Sequence, residues 1–240
     1  MAGEAWELMG RAIKDYWRGN PAAAFRVFSD YAGLEEYPAQ VFFRTEEELP
    51  AQEEYALSLC RGRVLDVGAG SGCHSLILQR NDLSVTALDI SRDAVAVMRE
   101  RGIANAVCND IRDFQAEPFD TLLMLMNGIG LAGDLPGLRR FLNDLKRLVK
   151  PAGQILLDSA DLRLISEKTP QRDAFPMTEA NYFGSLLYQI EYQGDISAPF
   201  RWLYLDQRTL RKNAAACGWD CQIIYEEGYQ YLARLTRNSS

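Results

Sequence analysis

Behind a short apolar run at 64–67 the chain reads GAGSGCHSL, which places Gly68, Gly70 and Gly72 within five positions. Glycine adopts left-handed backbone angles without steric cost and lets a ligand come close to the main chain. Three alternating glycines between an apolar run and a helical stretch at 73–80 therefore predict a tight strand-to-helix corner, the place where open α/β sheets bind ligands.

The rest of the chain agrees with such a sheet. Runs of branched or long apolar residues at 64–67, 84–88, 121–126 and 154–157, with a shorter one at 106–108, alternate with stretches suited to helices at 73–80, 91–101 and 135–149. Strands separated by helices of this length imply right-handed crossovers and a doubly wound, mainly parallel sheet. In the tail, Asp206 is placed to cap a helix that Gly218 ends, and the alternating runs 221–225 and 229–235 turn at Gly228 into a terminal antiparallel hairpin.

Two regions flank this pattern. Residues 1–60 read as an N-terminal helical cap: Trp6, Met9, Ile13, Tyr16 and Trp17 recur at helical spacing, a second helix is expected over 22–31, and Pro50 opens a third towards Leu59. The interval 160–205 is too long for a plain loop and carries strand-like patches at 186–192 and 202–205, so it reads as a substrate-facing insertion after the fifth strand. Residues 1–240 are expected to form a single domain.

A net charge of −7 argues against a broad nucleic-acid-binding surface. No apolar run approaches the roughly 20 residues that span a bilayer, and the first residues lack a signal-peptide pattern, so no membrane association and a cytoplasmic location are expected. The five cysteines are scattered and the chain has one histidine, a pattern that supports neither a disulfide framework nor a metal site. The oligomeric state is open.

Carboxylates recur at the strand ends. Asp89 follows Gly68 by twenty-one residues, the spacing at which an acid accepts the hydroxyl hydrogens of an adenosine ribose. Another twenty-one residues bring Asp110, an acceptor for an adenine amino group, with Ile90 or Ile111 against the ring. The dinucleotide fingerprint requires Gly or Ala where this chain has Cys73, and Asp66 stands before the turn where a pyrophosphate would sit. Asp66 suits either a ligand with a positive group or the loop's own N–H groups, and the ligand implied is an adenosine with a cationic or zwitterionic tail.

With VLDVGAGSG at 64–72, LDIS at 88–91, NDIRDF at 109–114, FDTLLMLMNGIG at 119–130 and LKRLVKPAGQILLDS at 145–159, the chain resembles the class I S-adenosylmethionine-dependent methyltransferases. The resemblance implies a seven-stranded Rossmann-like sheet and S-adenosylmethionine as cofactor, with S-adenosylhomocysteine as product. It implies that Asp66, Gly68, Ala69, Gly70 and Gly72 hold the methionine portion. Asp89 would take the ribose hydroxyls, and Asp110 with Ile111 the adenine. Asn127 would border the transferring methyl, but MNGIG departs from the Asn-Pro-Pro-Tyr pattern of relatives that methylate amino groups of nucleic-acid bases or glutamine.

The acceptor is expected to be a small organic molecule, with protein methylation or a non-catalytic cofactor sensor as alternatives. His74 is the one imidazole able to take a proton, and its other reading is a capping or packing residue beside the N-terminal helices. Asn127 either orients an acceptor or holds the backbone after the fourth strand. Arg44 either meets an anionic substrate or pairs with the Glu46–Glu48 run or another acid, and Asp158 and Asp161 either face substrate or cap turns. Aromatic residues crowd both flanking regions, mostly as core.

Overall fold

The computed structural model describes residues 2–165 and 182–238. Residues 166–181, the middle of the expected insertion, lie outside them. The chain divides into two compact units, Met1–Gln115 with Leu187–Phe200, and Ala116–Leu186 with Arg201–Ser240.

In the first unit, helix α1 (Ala2–Trp17) is followed by strands β1 (Ala24–Ser29) and β2 (Gly33–Pro38), a short 3-10 turn Ala39–Phe43, and helix α2 (Ala51–Ser58). Then come β3 (Arg63–Val67), α3 (Cys73–Arg80), β4 (Ser84–Asp89), α4 (Arg92–Glu100) and β5 (Ala106–Cys108). Pairing of β3 with β4 and of β4 with β5 is parallel. Ser91 caps α4 through its hydroxyl, which accepts from the Ala94 N–H at 3.3 Å, leaving Asp89 for other work.

The second unit holds β6 (Phe119–Met124), the 3-10 turn Gly128–Ala132, α5 (Leu135–Leu145) and the long β7 (Val149–Ala160). It ends with α6 (Gln207–Ala216), capped by Asp206, and the hairpin β11 (Trp219–Glu227) and β12 (Gln230–Arg237). Strands β6 and β7 are parallel, and β12 runs antiparallel to both β7 and β11. The seven strands of this pattern run in the order β11-β12-β7-β6 in the second unit and β3-β4-β5 in the first. This is the expected α/β, doubly wound sheet closed by an antiparallel hairpin. Leu122, Leu123, Ile155, Leu156 and Leu157 are fully buried in its strands, as near-continuous apolar runs require when a sheet is covered on both faces.

The cap needs one correction. Residues 22–31, expected as a helix, form β1 instead, paired antiparallel with β2 and with β8 (Ser185–Tyr192) in a second sheet that also includes β9 (Asp195–Ile196) and β10 (Phe200–Leu203). The segment AFRVFS alternates with period two: Phe25 and Val27 are buried, while Arg26 and Phe28 face out. The buried face packs on α1, where Ala5, Leu8 and Ala12 meet Phe25, Val27, Ile190 and Tyr192. The strand-like patches expected at 186–192 and 202–205 correspond to β8 and β10.

Candidate cofactor and positioning site

Three parallel strands of the first unit end in step. Val67 pairs with Leu88 and Asp89 with Cys108, so the glycine loop, Asp89 with Ile90, and Asp110 with Ile111 all leave the sheet along one edge. Gly68, Gly70 and Gly72 have φ of 72°, 57° and 80°, values at which a side chain is strained. The Gly68 and Ala69 N–H groups donate to the Leu88 carbonyl at 2.8 and 3.1 Å. A Cβ on Gly72 would lie 2.3 Å from the Ile103 side chain, so packing as well as conformation requires glycine there.

Asp89 organises this edge. One carboxylate oxygen accepts from the Gly70 N–H at 2.8 Å and the other from the Ser91 N–H at 2.9 Å. Burial pushes its carboxyl up to about 6, against the pull of the Ser91 and Gly70 N–H groups, with Asp66 and Glu7 adding repulsion. Asp66 is buried behind the loop and accepts from the Ser75 hydroxyl at 2.6 Å. Burial raises its carboxyl too, partly offset by His74 and Ser75. Asp110 is half-buried and accepts from the Arg112 N–H at 2.9 Å, while Ile111 is buried.

His74 does not stand free at the loop. It is buried, and its Nε2 donates to Glu53 at 2.6 Å. Arg44 donates to both oxygens of the same carboxylate, at 3.0 and 2.8 Å. Burial opposes charge on the imidazole, yet Cys73, Glu53 and Asp66 together hold it well above its usual range. Burial likewise opposes charge on Glu53, yet His74 and Arg44 hold its carboxyl below the usual value. The acid expected to pair with Arg44 is thus Glu53 on α2, a residue that sequence reasoning passed over as one of several helix glutamates. The available signal was a lone histidine and an arginine, which need a carboxylate between them once they are buried.

Also in the first unit, a cavity of about 880 Å³ is bordered by Glu4, Glu7, Leu8 and Arg11 of α1, by Ile90, Arg92, Asp93 and Cys108, and by Asp195, Ile196 and Ser197. Of the expected cofactor residues only Ile90 lines it. The front aromatics are largely packed on one another: Tyr16 and Trp17 meet Phe43 with ring centroids 4.8 and 6.1 Å apart.

Asn127 belongs to the second unit and follows β6 with φ of 58°. Its N–H donates to Asp158 at 2.7 Å, its amide nitrogen to the Leu203 carbonyl at 3.1 Å, and its amide oxygen accepts from Ser159 at 2.8 Å. Asparagine tolerates the left-handed region better than most residues, and here its side chain ties β7 to β10. Of its two readings, the geometry matches the holding of the backbone. Asp161 caps a turn, accepting from the Arg163 N–H at 3.1 Å. Among the described residues no group of three or more metal-ligating side chains is gathered, and no helix is long and apolar enough to cross a membrane.

Residues 64–153 match the family described as "Methyltransferase domain". A SAM-dependent methyltransferase from Bacteroides fragilis, solved in complex with S-adenosyl-L-homocysteine, is 40% identical with a TM-score of 0.87, over 96% of this chain and 94% of that one. A ubiquinone biosynthesis O-methyltransferase of Xanthomonas oryzae pv. oryzae is 30% identical over 139 residues, 55% of this chain and 54% of that protein. A demethylmenaquinone methyltransferase of Tropheryma whipplei is 30% identical over 99 residues, 39% of this chain and 40% of that protein. The chain therefore spans about half or less of the length of these curated relatives.

Proposed function

Because the chain belongs to the S-adenosylmethionine-dependent methyltransferases, we propose that it transfers the methyl group of S-adenosylmethionine to a small organic acceptor and releases S-adenosylhomocysteine. Residues 1–240 act in this reading as one methyltransferase domain. The observation that carries it is the set of aligned strand ends, where a three-glycine loop lies beside a buried carboxylate.

A carboxylate has about four lone-pair positions, and backbone donors use one on each oxygen of Asp89. The remaining pair suits two neighbouring ribose hydroxyls. Gly68, Ala69, Gly70 and Gly72 would face the amino-acid portion with bare backbone, Ile90 and Ile111 would pack the adenine, and Asp110 would accept from its amino group. Asp66 braces the loop through Ser75.

When bound, the cofactor supplies an electrophilic methyl on a sulfonium, which an acceptor lone pair takes as the carbon–sulfur bond electrons return to sulfur. The chain's contribution is to fix the loop and exclude water. Its His74 Nε2 is committed to Glu53 and the Asn127 amide to Leu203 and Ser159, so we assign both residues to positioning and neither to proton transfer. An acceptor already carrying a free lone pair fits this arrangement.

Incubation of the purified protein with methyl-labelled S-adenosylmethionine and a fractionated metabolite extract tests the proposal. Label should enter a small-molecule fraction in proportion to enzyme. Label confined to protein, or cofactor binding with no transfer across all fractions, contradicts it.

A further inference from the structure

Resting on the reading that the 68–72 loop holds the cofactor's amino-acid end, we propose that Arg44 is a positioning residue for cofactor binding. It fastens residues 39–44 as a strap that keeps the glycine loop in its binding shape.

The contacts run from the strap to both flanks of Gly72. On one side, the Ser71 hydroxyl donates to the Phe42 carbonyl. The Phe42 ring rests on Gly70, where an added Cβ would stand 3.2 Å from its Cδ1. Arg101 donates to the Ser71 carbonyl at 2.7 Å and lies 4.9 Å above the Phe43 ring, so the same loop residue is gripped twice. On the other side, Arg44 donates through Nε to the Val41 carbonyl at 3.0 Å, which closes the strap on itself, and through Nη2 to Glu53. Glu53 passes the restraint to His74 in the first turn of α3. Ser71 and His74 are thus held from one short segment.

This matters because the loop has little means of holding itself. Three glycines at positive φ have no side chains to pack and lose more conformational freedom on ordering than any other residues. A binding site that is ordered before its ligand arrives does not spend binding energy on that ordering. Releasing the strap therefore weakens the ligand chiefly by letting it leave faster.

The test uses the full chain and S-adenosylhomocysteine as probe, with affinity by calorimetry and dissociation by stopped flow. Arg44→Gln leaves the Glu53–His74 contact in place, and we expect dissociation roughly tenfold faster and affinity weaker by about the same factor. Arg44→Lys keeps a charge but reaches only one of the two acceptors, and should recover part of the loss. Arg18→Gln, which breaks an exposed pair with Glu100 of 2.7 Å, should match the wild type. A folded Arg44→Gln protein whose dissociation rate stays within twofold of wild type overturns the inference while leaving the cofactor reading intact. Failure of the wild type to bind S-adenosylhomocysteine overturns the reading itself. Should Arg44→Gln not fold, Phe42→Leu removes the ring from Gly70 and should shift dissociation in the same direction; no shift overturns the inference.

Discussion

Replacing Glu53 by glutamine should lower the melting temperature by roughly 10 °C, the consequence of removing one member of a buried ionic cluster at a cost of about 3–5 kcal/mol in a chain of this size. The neutral amide leaves Arg44 and His74 facing each other without a counter-charge, and their side chains are only 18% and 7% exposed. His74 would respond by losing its proton, which limits the damage. Adding His74→Gln to Glu53→Gln should for that reason cost less than the two single losses combined.

The pH course has a defined sign. The imidazole's folded value is raised, so its contribution is full below the ordinary 6.5 and declines as the pH climbs above it. The Glu53 carboxyl is lowered, so its contribution is full above the ordinary 4.5 and is lost in more acidic solution. The pair is therefore worth most between these two values, and the melting difference between wild type and Glu53→Gln should be largest there. A difference under about 2 °C across that window contradicts the pairing.

Asp89→Ala should weaken S-adenosylhomocysteine binding about 100-fold, as expected for two hydrogen bonds to an ionised acceptor worth about 1.5 kcal/mol each. The substitution also strips the Gly70 and Ser91 N–H groups of their acceptor, so the loop loses its anchor with the ligand contact. Burial pushes the carboxyl up to about 6, and its ionised form is the better hydroxyl acceptor. Affinity should hold steady above that pH and fall as the pH drops through it. Stability of the unliganded protein responds to Asp89 in the opposite sense, because a raised carboxyl pKa means that the folded state holds its proton more tightly. Asp89 thus favours the folded state more as the pH falls from about 6 towards the ordinary 3.8. Calorimetry at pH 5 and pH 8 with wild type and Asp89→Ala separates these effects; equal wild-type affinity at both values contradicts the assignment.

Much of this architecture was legible because the information is local. The runs at 64–67 and 84–88 announce buried parallel strands, the glycines announce a turn that only they tolerate, and Asp206 and Gly218 mark helix ends by their own chemistry. The strand β1 was harder. Its six residues give one short alternation, its near partner β2 is exposed along its length and carries no apolar pattern, and its other partner β8 lies far along the chain, with Glu191 opposite Arg26. Glu53 was hidden for a related reason. Its neighbours in QEEY describe an exposed helix, while its burial comes from Arg44 and His74, which folding brings together. Asn127 was legible as a position but not in its role, since the partners of its N–H and of its side-chain amide arrive from later segments.

The most direct measurement is a calorimetric titration of the purified chain with S-adenosylhomocysteine and, separately, with NAD. Saturable binding of S-adenosylhomocysteine at one site per chain, with no binding heat from NAD, is the expected result. Preferential binding of NAD, or no binding of S-adenosylhomocysteine by folded protein, contradicts it.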